Sequence, residues 1–161
     1  MENCFEIFLN EVTRIELIQA SVCTLPIPFC VGEITQMNNC TIGEATMVVD
    51  ISSTSADGLL QSASTLKTQE KPQAAGYLRN HDLQIPIKDG YDTIRQKRGS
   101  LAGRDFYVVL RMLSGSEFLL YSLPNTSTVS VEDQVGSESK QTVKVSLQSL
   151  SNMIKITRTN N

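Results

Sequence analysis

The sequence predicts a mainly β, single domain: an antiparallel β-sandwich or open barrel with one inserted helix. Three observations lead there. Short stretches in which apolar and polar residues alternate recur along the chain, and a period of two places one set of side chains on one sheet face. Turn-forming residues separate these stretches. The chain has 161 residues, the size of one ordinary domain that buries a core without staples.

The elements follow in order. Phe5, Ile7 and Leu9 alternate with Glu6 and Phe8, and a second alternation runs from Arg14 to Ile18. The link Asn10-Glu11 suits a hairpin between them, with a short helix over Glu11 to Ala20 as the alternative. Two prolines two apart in Leu25-Pro26-Ile27-Pro28-Phe29 deny donors to a central strand, so this reads as an extended edge segment or connector. Met47 to Ile51 reads as a strand. From Ser52 to Gly76 large apolar groups are few. Leu59, Leu60 and Leu66 support either a short helix capped by Ser55 or Asp57 or a long arm, at about 52–76, that orders against a neighbouring subunit. On the arm reading these three leucines are the candidate assembly contacts.

Order resumes at Asp82. Leu83, Ile85 and Ile87 alternate with polar residues, and Pro86 gives that strand a free edge. Asp89-Gly90 is a turn. Tyr91 to Ala102 has helical spacing, with Asp92 as cap and Gly103 as terminator. Asp105 to Met112 carries apolar residues on both faces, the mark of a central strand. Leu113-Ser114-Gly115-Ser116 turns it into a hairpin with Glu117 to Ser122. Thr128 to Glu132 sets Val129 and Val131 on one face. After the polar turn Gly136 to Lys140, Val143, Val145 and Leu147 alternate with Thr142, Lys144, Ser146 and Gln148 and are expected to face the core. Met153 to Ile156 is the last strand. The pattern is a meander, and no internal repeat interrupts it.

Composition narrows the function. Net charge is −3, and Lys and Arg cluster only at Arg95-Gln96-Lys97-Arg98, near Arg104. Duplex binding wants a larger basic face, and a solvated helix face accounts for this run. Aromatic residues are 6% with no Trp. That is thin for stacking single strands, although Tyr107 and Tyr121 beside Arg111 keep a single-strand nucleic-acid module as an alternative. The N-terminus has no basic region ahead of an apolar run, so no signal peptide is expected, nor is any membrane anchoring. Cys4, Cys23, Cys30 and Cys40 are too widely spaced for a metal knuckle and read as free, partly buried thiols.

No catalytic, cofactor or metal site is expected. Nucleophilic catalysis by Ser or Cys usually needs a base, and the single histidine, His81, reads as a surface turn residue. Gly99-Ser100-Leu101-Ala102-Gly103 lacks the spacing and lysine of a phosphate loop. Asp89, Asp92 and Asp105 match no calcium loop, and Glu132-Asp133 reads as solvated.

One resemblance gives this frame a function. The stretch from Asp92 to Ile156 runs from Thr93-Ile94-Arg95-Gln96-Lys97-Arg98 through Gly103-Arg104-Asp105-Phe106-Tyr107-Val108-Val109-Leu110. It continues through Gly115-Ser116-Glu117-Phe118-Leu119-Leu120-Tyr121 to the strand from Gln141 to Leu150. It resembles the tail-tube and baseplate-hub group of tailed phages, particularly those of gut Bacteroidetes. The resemblance implies a tail-tube-like fold and a ring- or tube-forming virion subunit, assembled in the host cytoplasm. It would contact copies of itself and other tail or portal-proximal proteins, with DNA passing through the channel. A small β-domain adaptor for protein or carbohydrate is the other alternative.

Overall fold

The computed structural model describes residues 3–8, 12–26, 34–50, 65–73, 76–87, 101–134, 140–150 and 152–159. Among them stand twelve strands: β1 (Asn3–Phe8), β2 (Val12–Gln19), β3 (Cys23–Thr24), β4 (Gln36–Ile42), β5 (Met47–Asp50), β6 (Thr65–Gln73), β7 (Gly76–Ile87), β8 (Phe106–Met112), β9 (Glu117–Leu120), β10 (Thr128–Gln134), β11 (Lys140–Ser149) and β12 (Ile154–Arg158). A 3-10 turn covers Ala20–Val22. The strands form a five-stranded sheet, β1-β6-β7-β11-β10, and a curled seven-stranded sheet, β3-β4-β12-β9-β8-β2-β5.

The mainly β class is therefore as expected, while the connectivity is not a meander. The chain enters the small sheet with β1, supplies β2 to β5 to the large one, and returns for β6 and β7. It crosses again for β8 and β9, comes back for β10 and β11, and ends in the large sheet with β12. The expected hairpin across Asn10-Glu11 is not formed. β1 pairs with β6, whereas β2 pairs with β8 and β5. Both stretches are strands, and β2 is a strand instead of the alternative helix. Of the helix expected over Tyr91 to Ala102, residues 91–100 lie outside the described residues, as does the basic run at 95–98. No α-helix range stands among the described residues beyond the helical residue Leu101, so the described residues do not support the inserted helix.

The two sheets bury one core between them. Leu66, Leu83, Ile85, Val143, Val145 and Leu147 from the small sheet meet Ile15, Leu17, Phe106, Val108, Leu110 and Leu120 from the large one. A register shift between Val12 and Arg14 lets Val12 join Ile15 and Leu17 in that core despite the wrong parity. Because the large sheet curls, its far face also closes over apolar side chains: Ile18, Met37, Cys40, Val109, Leu119, Tyr121, Ile154 and Ile156. This is why β8 reads apolar on both faces. Val108 and Leu110 serve the first core, and Val109 serves the second.

Local geometry supports this arrangement at three places. Asn39 takes φ +61 in β4, and there the parallel pairing with β12 slips between Ile156↔Met37 and Arg158↔Cys40. The extra residue lets Met37 and Cys40, three apart, both point inward. At the β8–β9 hairpin, Gly115 takes φ +91, and its N–H donates to the Met112 carbonyl at 2.9 Å. Gly43 sits against the 3-10 turn, where an added Cβ would lie 2.6 Å from both the Cβ and the backbone oxygen of Val22. Backbone cannot yield there cheaply. Gly43→Ala is therefore expected to cost about 1–3 kcal/mol in chemical denaturation, the usual penalty of overpacking.

The stretch expected to be an arm divides in two. Residues 51–64, with Leu59 and Leu60, lie outside the described residues. Thr65–Gln73 is strand β6, paired on one side with β1 and on the other with β7. Leu66 is 1% exposed in the core, so it is not an outward assembly contact. Its polar neighbours made the stretch look unpatterned. Pro86 lies beyond Thr65↔Gln84, where β6 stops pairing, so β7 there has β11 on one flank and no described partner on the other.

Candidate functional site

The inner face of the small sheet changes character along its length. Cross-strand pairing sets Leu66, Leu83 and Val145 in one row, then Thr68, His81 and Leu147, then Glu70, Arg79 and Ser149. The alternation that buries leucines at one end thus buries polar groups at the other. Thr68, Arg79, His81 and Ser149 are all buried. His81 Nδ1 lies 2.9 Å from Thr68 Oγ1, and His81 Nε2 lies 2.9 Å from Ser149 Oγ. Arg79 Nε donates to Glu70 Oε1 at 3.0 Å and its Nη1 to the Leu150 carbonyl at 2.8 Å. A cavity of about 360 Å³ opens beside them, lined by Leu66, Thr68, Glu70, His81, Phe118 and Met153 together with Asn152.

His81 is therefore a buried strand residue and not a surface turn histidine. Its flanking residues look turn-like, but Arg79 faces inward beside it while Asn80 and Asp82 face out. The Ser149–His81 contact has the geometry of a nucleophile and its base. Two features separate it from a working triad. Ser149 is 0% exposed and does not line the cavity beside His81. The third group is a hydroxyl, which cannot stabilise an imidazolium as a carboxylate does, and the nearby carboxylate of Glu70 is committed to Arg79. Hydroxyls donate or accept, so a neutral imidazole is satisfied between them in either tautomer. The cluster ties β6, β7 and β11 together in one register.

A second polar array closes one end of the far core. Arg158 grips Glu117 with two hydrogen bonds, Nε to Oε1 at 3.0 Å and Nη2 to Oε2 at 2.7 Å, and also donates to Glu16. Arg14 reaches Glu16 at 3.1 Å, and Arg111 reaches Glu117 at 3.8 Å. Burial opposes the charge of Arg158, but hydrogen bonds and Coulomb attraction from the two carboxylates outweigh it, and its pKa lies above the usual arginine value. Beside this array, burial pushes the thiols of Cys23 and Cys40 up in pKa, leaving them protonated near neutrality. Burial first, and then Tyr121 at a ring separation of 5.1 Å, raises Tyr107 well above the ordinary tyrosine range. These tyrosines pack against the second core. Arg111, the basic residue beside them on the hairpin, engages Glu117. Among the described residues no three His, Cys, Asp or Glu side chains converge as metal ligands, and no helix is long and apolar enough to cross a membrane. Asp105 uses its carboxylate to accept the Asn125 N–H at 2.7 Å. Asp89 and Asp92 lie outside the described residues, as do the side chains of Glu132 and Asp133.

The outer face of the small sheet carries a third feature. Gln69, Asn80 and Gln148 stand in direct cross-strand register on β6, β7 and β11. In the next row Ser146 donates to Asp82 at 2.6 Å. With Asn125, Thr126 and Leu147 these residues line an open cleft of about 430 Å³. None of these polar positions stood out in the sequence, because the pattern says only that they face out. Neighbourhood across three strands is a product of register.

Comparison with protein-family models, with curated proteins and with solved structures finds no match.

Proposed function

We propose that this protein is a non-catalytic structural subunit that assembles edge to edge with copies of itself, as a ring- or tube-forming component in or next to a phage tail. The observation that carries the reading is the state of the sheet edges. Among the described residues the small sheet ends on β10, seven residues long, and the large one on β5. Among the described residues no strand pairs with the outer flank of either. Soluble monomers blunt such edges with lysines, prolines or very short strands. The exposed side chains described on β10, Thr128 and Ser130, are uncharged. A closed ring satisfies open edges of this kind. The acidic balance of the chain, net −3, also suits a channel through which DNA slides without being gripped. The buried Ser149–His81 pair speaks for a structural role over a hydrolytic one.

Sedimentation velocity and negative-stain microscopy of the full chain test the proposal. Closed rings or tubes are expected. The double substitution Thr128→Lys with Ser130→Lys should return the assembly to monomers at an unchanged melting temperature. A wild-type chain that stays monomeric at every concentration reached, or an assembly indifferent to the two lysines, would remove the support from the β10 edge.

A further inference from the structure

We infer that the polar cleft on the outer face of the small sheet is a binding site for a neutral saccharide. Its floor is the carboxamide row Gln69, Asn80 and Gln148, continued by Asp82 and Ser146. The three carboxamides are half-buried and have no hydrogen-bond partner among the described residues. Each carries both a donor and an acceptor on one planar fork. Vicinal sugar hydroxyls, which also donate and accept, match such forks, and a row of three across adjacent strands repeats the match at strand spacing, about 5 Å.

The wall of the cleft is built in advance. The Leu123 N–H donates to the Gln148 carbonyl at 2.7 Å, and the Gln148 N–H donates to Thr126 Oγ1 at 3.2 Å. Thr126 Oγ1 donates in turn to the Leu123 carbonyl at 2.7 Å. Asn125 sits at the apex with φ +63, a left-handed conformation that asparagine enters more readily than most residues, and Asp105 holds its N–H. Floor and wall are thus locked through the backbone of Gln148, which lowers the ordering cost of binding. The volume, about 430 Å³, falls within the range of small-molecule sites, roughly 300–1,000 Å³.

The lining also selects against other ligands. Asp82 is the one charged residue of the lining, so phosphates and sulfates meet a like charge there, and the lysine in register, Lys67, stands opposite Asp82 itself. Leu147 is its one apolar residue and is itself 3% exposed, so an apolar ligand gains little. A peptide strand needs a sheet edge for its backbone, and the cleft lies on a face.

The test is a glycan array followed by titration of the isotope-labelled full chain with maltotriose, cellotriose, N,N′-diacetylchitobiose and the best array hit. Binding of at least one neutral glycan is expected, with shifts of the side-chain NH2 signals of Gln69, Asn80 and Gln148. Asn80→Ala and Gln148→Ala should each weaken it by about tenfold, the worth of one net hydrogen bond, with the melting temperature retained. Should Asn80→Ala fail to fold, Gln69→Ala supplies the same comparison from the neighbouring strand. An array on which only sulfated or sialylated glycans bind would overturn the inference. So would no binding and no shift at millimolar sugar, or binding that ignores the carboxamide substitutions. Oligomeric state does not enter these readouts, so the saccharide site and the assembly proposal stand or fall separately.

Discussion

Val145→Asp will unfold the domain or bring it to the edge of unfolding, whereas Lys144→Asp, one residue away, will be mild. Val145 is 1% exposed and packs in the core between the sheets, with Leu83 beside it on β7 and Val129 on β10. An aspartate there has no cation to meet and loses its hydration. The cost is about 3–5 kcal/mol, against a total of roughly 5–15 kcal/mol for a domain of this kind. Lys144 is half-buried on the opposite face, in register with Gln84 and Ser130. Substitution there should stay within about 1 kcal/mol. Urea denaturation of the two variants checks the ranking. The reverse order would mean that β11 is displaced by one residue, since a single step moves every side chain to the other face.

Arg158→Ala should cause the second large loss, about 2–4 kcal/mol in the same denaturation experiment. The guanidinium holds two carboxylates at once, and the side chains of Glu16 and Glu117 are only 8% and 14% exposed. Without it the two acids remain close together, with Arg14 and Arg111 as the cations within reach. The Arg158 side chain is itself 29% exposed, which keeps the figure below that of a fully buried pair. The double-mutant cycle with Glu117→Gln separates packing from charge. If charge dominates, Arg158→Ala should cost much less in the Glu117→Gln background. Equal costs in both backgrounds would show that the arginine acts through its aliphatic stem.

The strands most legible in the sequence were those with a strict period of two. Val143, Val145 and Leu147 were expected inside and are buried at 0%, 1% and 3%. The hairpin around Gly115 and the two-faced strand β8 were also readable, because the turn is local and an apolar run with no polar face demands cover on both sides. Strand β6 was missed. Its inward residues are Leu66, Thr68 and Glu70, and only the first looks like core. The polar pair becomes acceptable inside because β7 supplies His81 and Arg79 opposite. That compensation is thirteen residues away for Thr68 and nine for Glu70, invisible to any local pattern.

The sequence alone determined that this chain is mainly β, which face of β7 and β11 is apolar, that β8 is apolar on both, and where the β8–β9 turn falls. Those features follow from the backbone pleat and from turn geometry, which act over a few residues. Tertiary structure decided the rest: that β1 leaves its neighbour β2 for the other sheet, that β7 pairs with β11 across some sixty residues, and that the large sheet curls over a second core. It also decided both candidate sites. His81 and Ser149 are 68 positions apart, and Gln69, Asn80 and Gln148 form a row only in one register. Alternation specifies a side, but hydrogen-bond ladders accept almost any strand as partner. The choice among partners is made by which pairing buries the apolar faces and leaves no inward polar group unmatched.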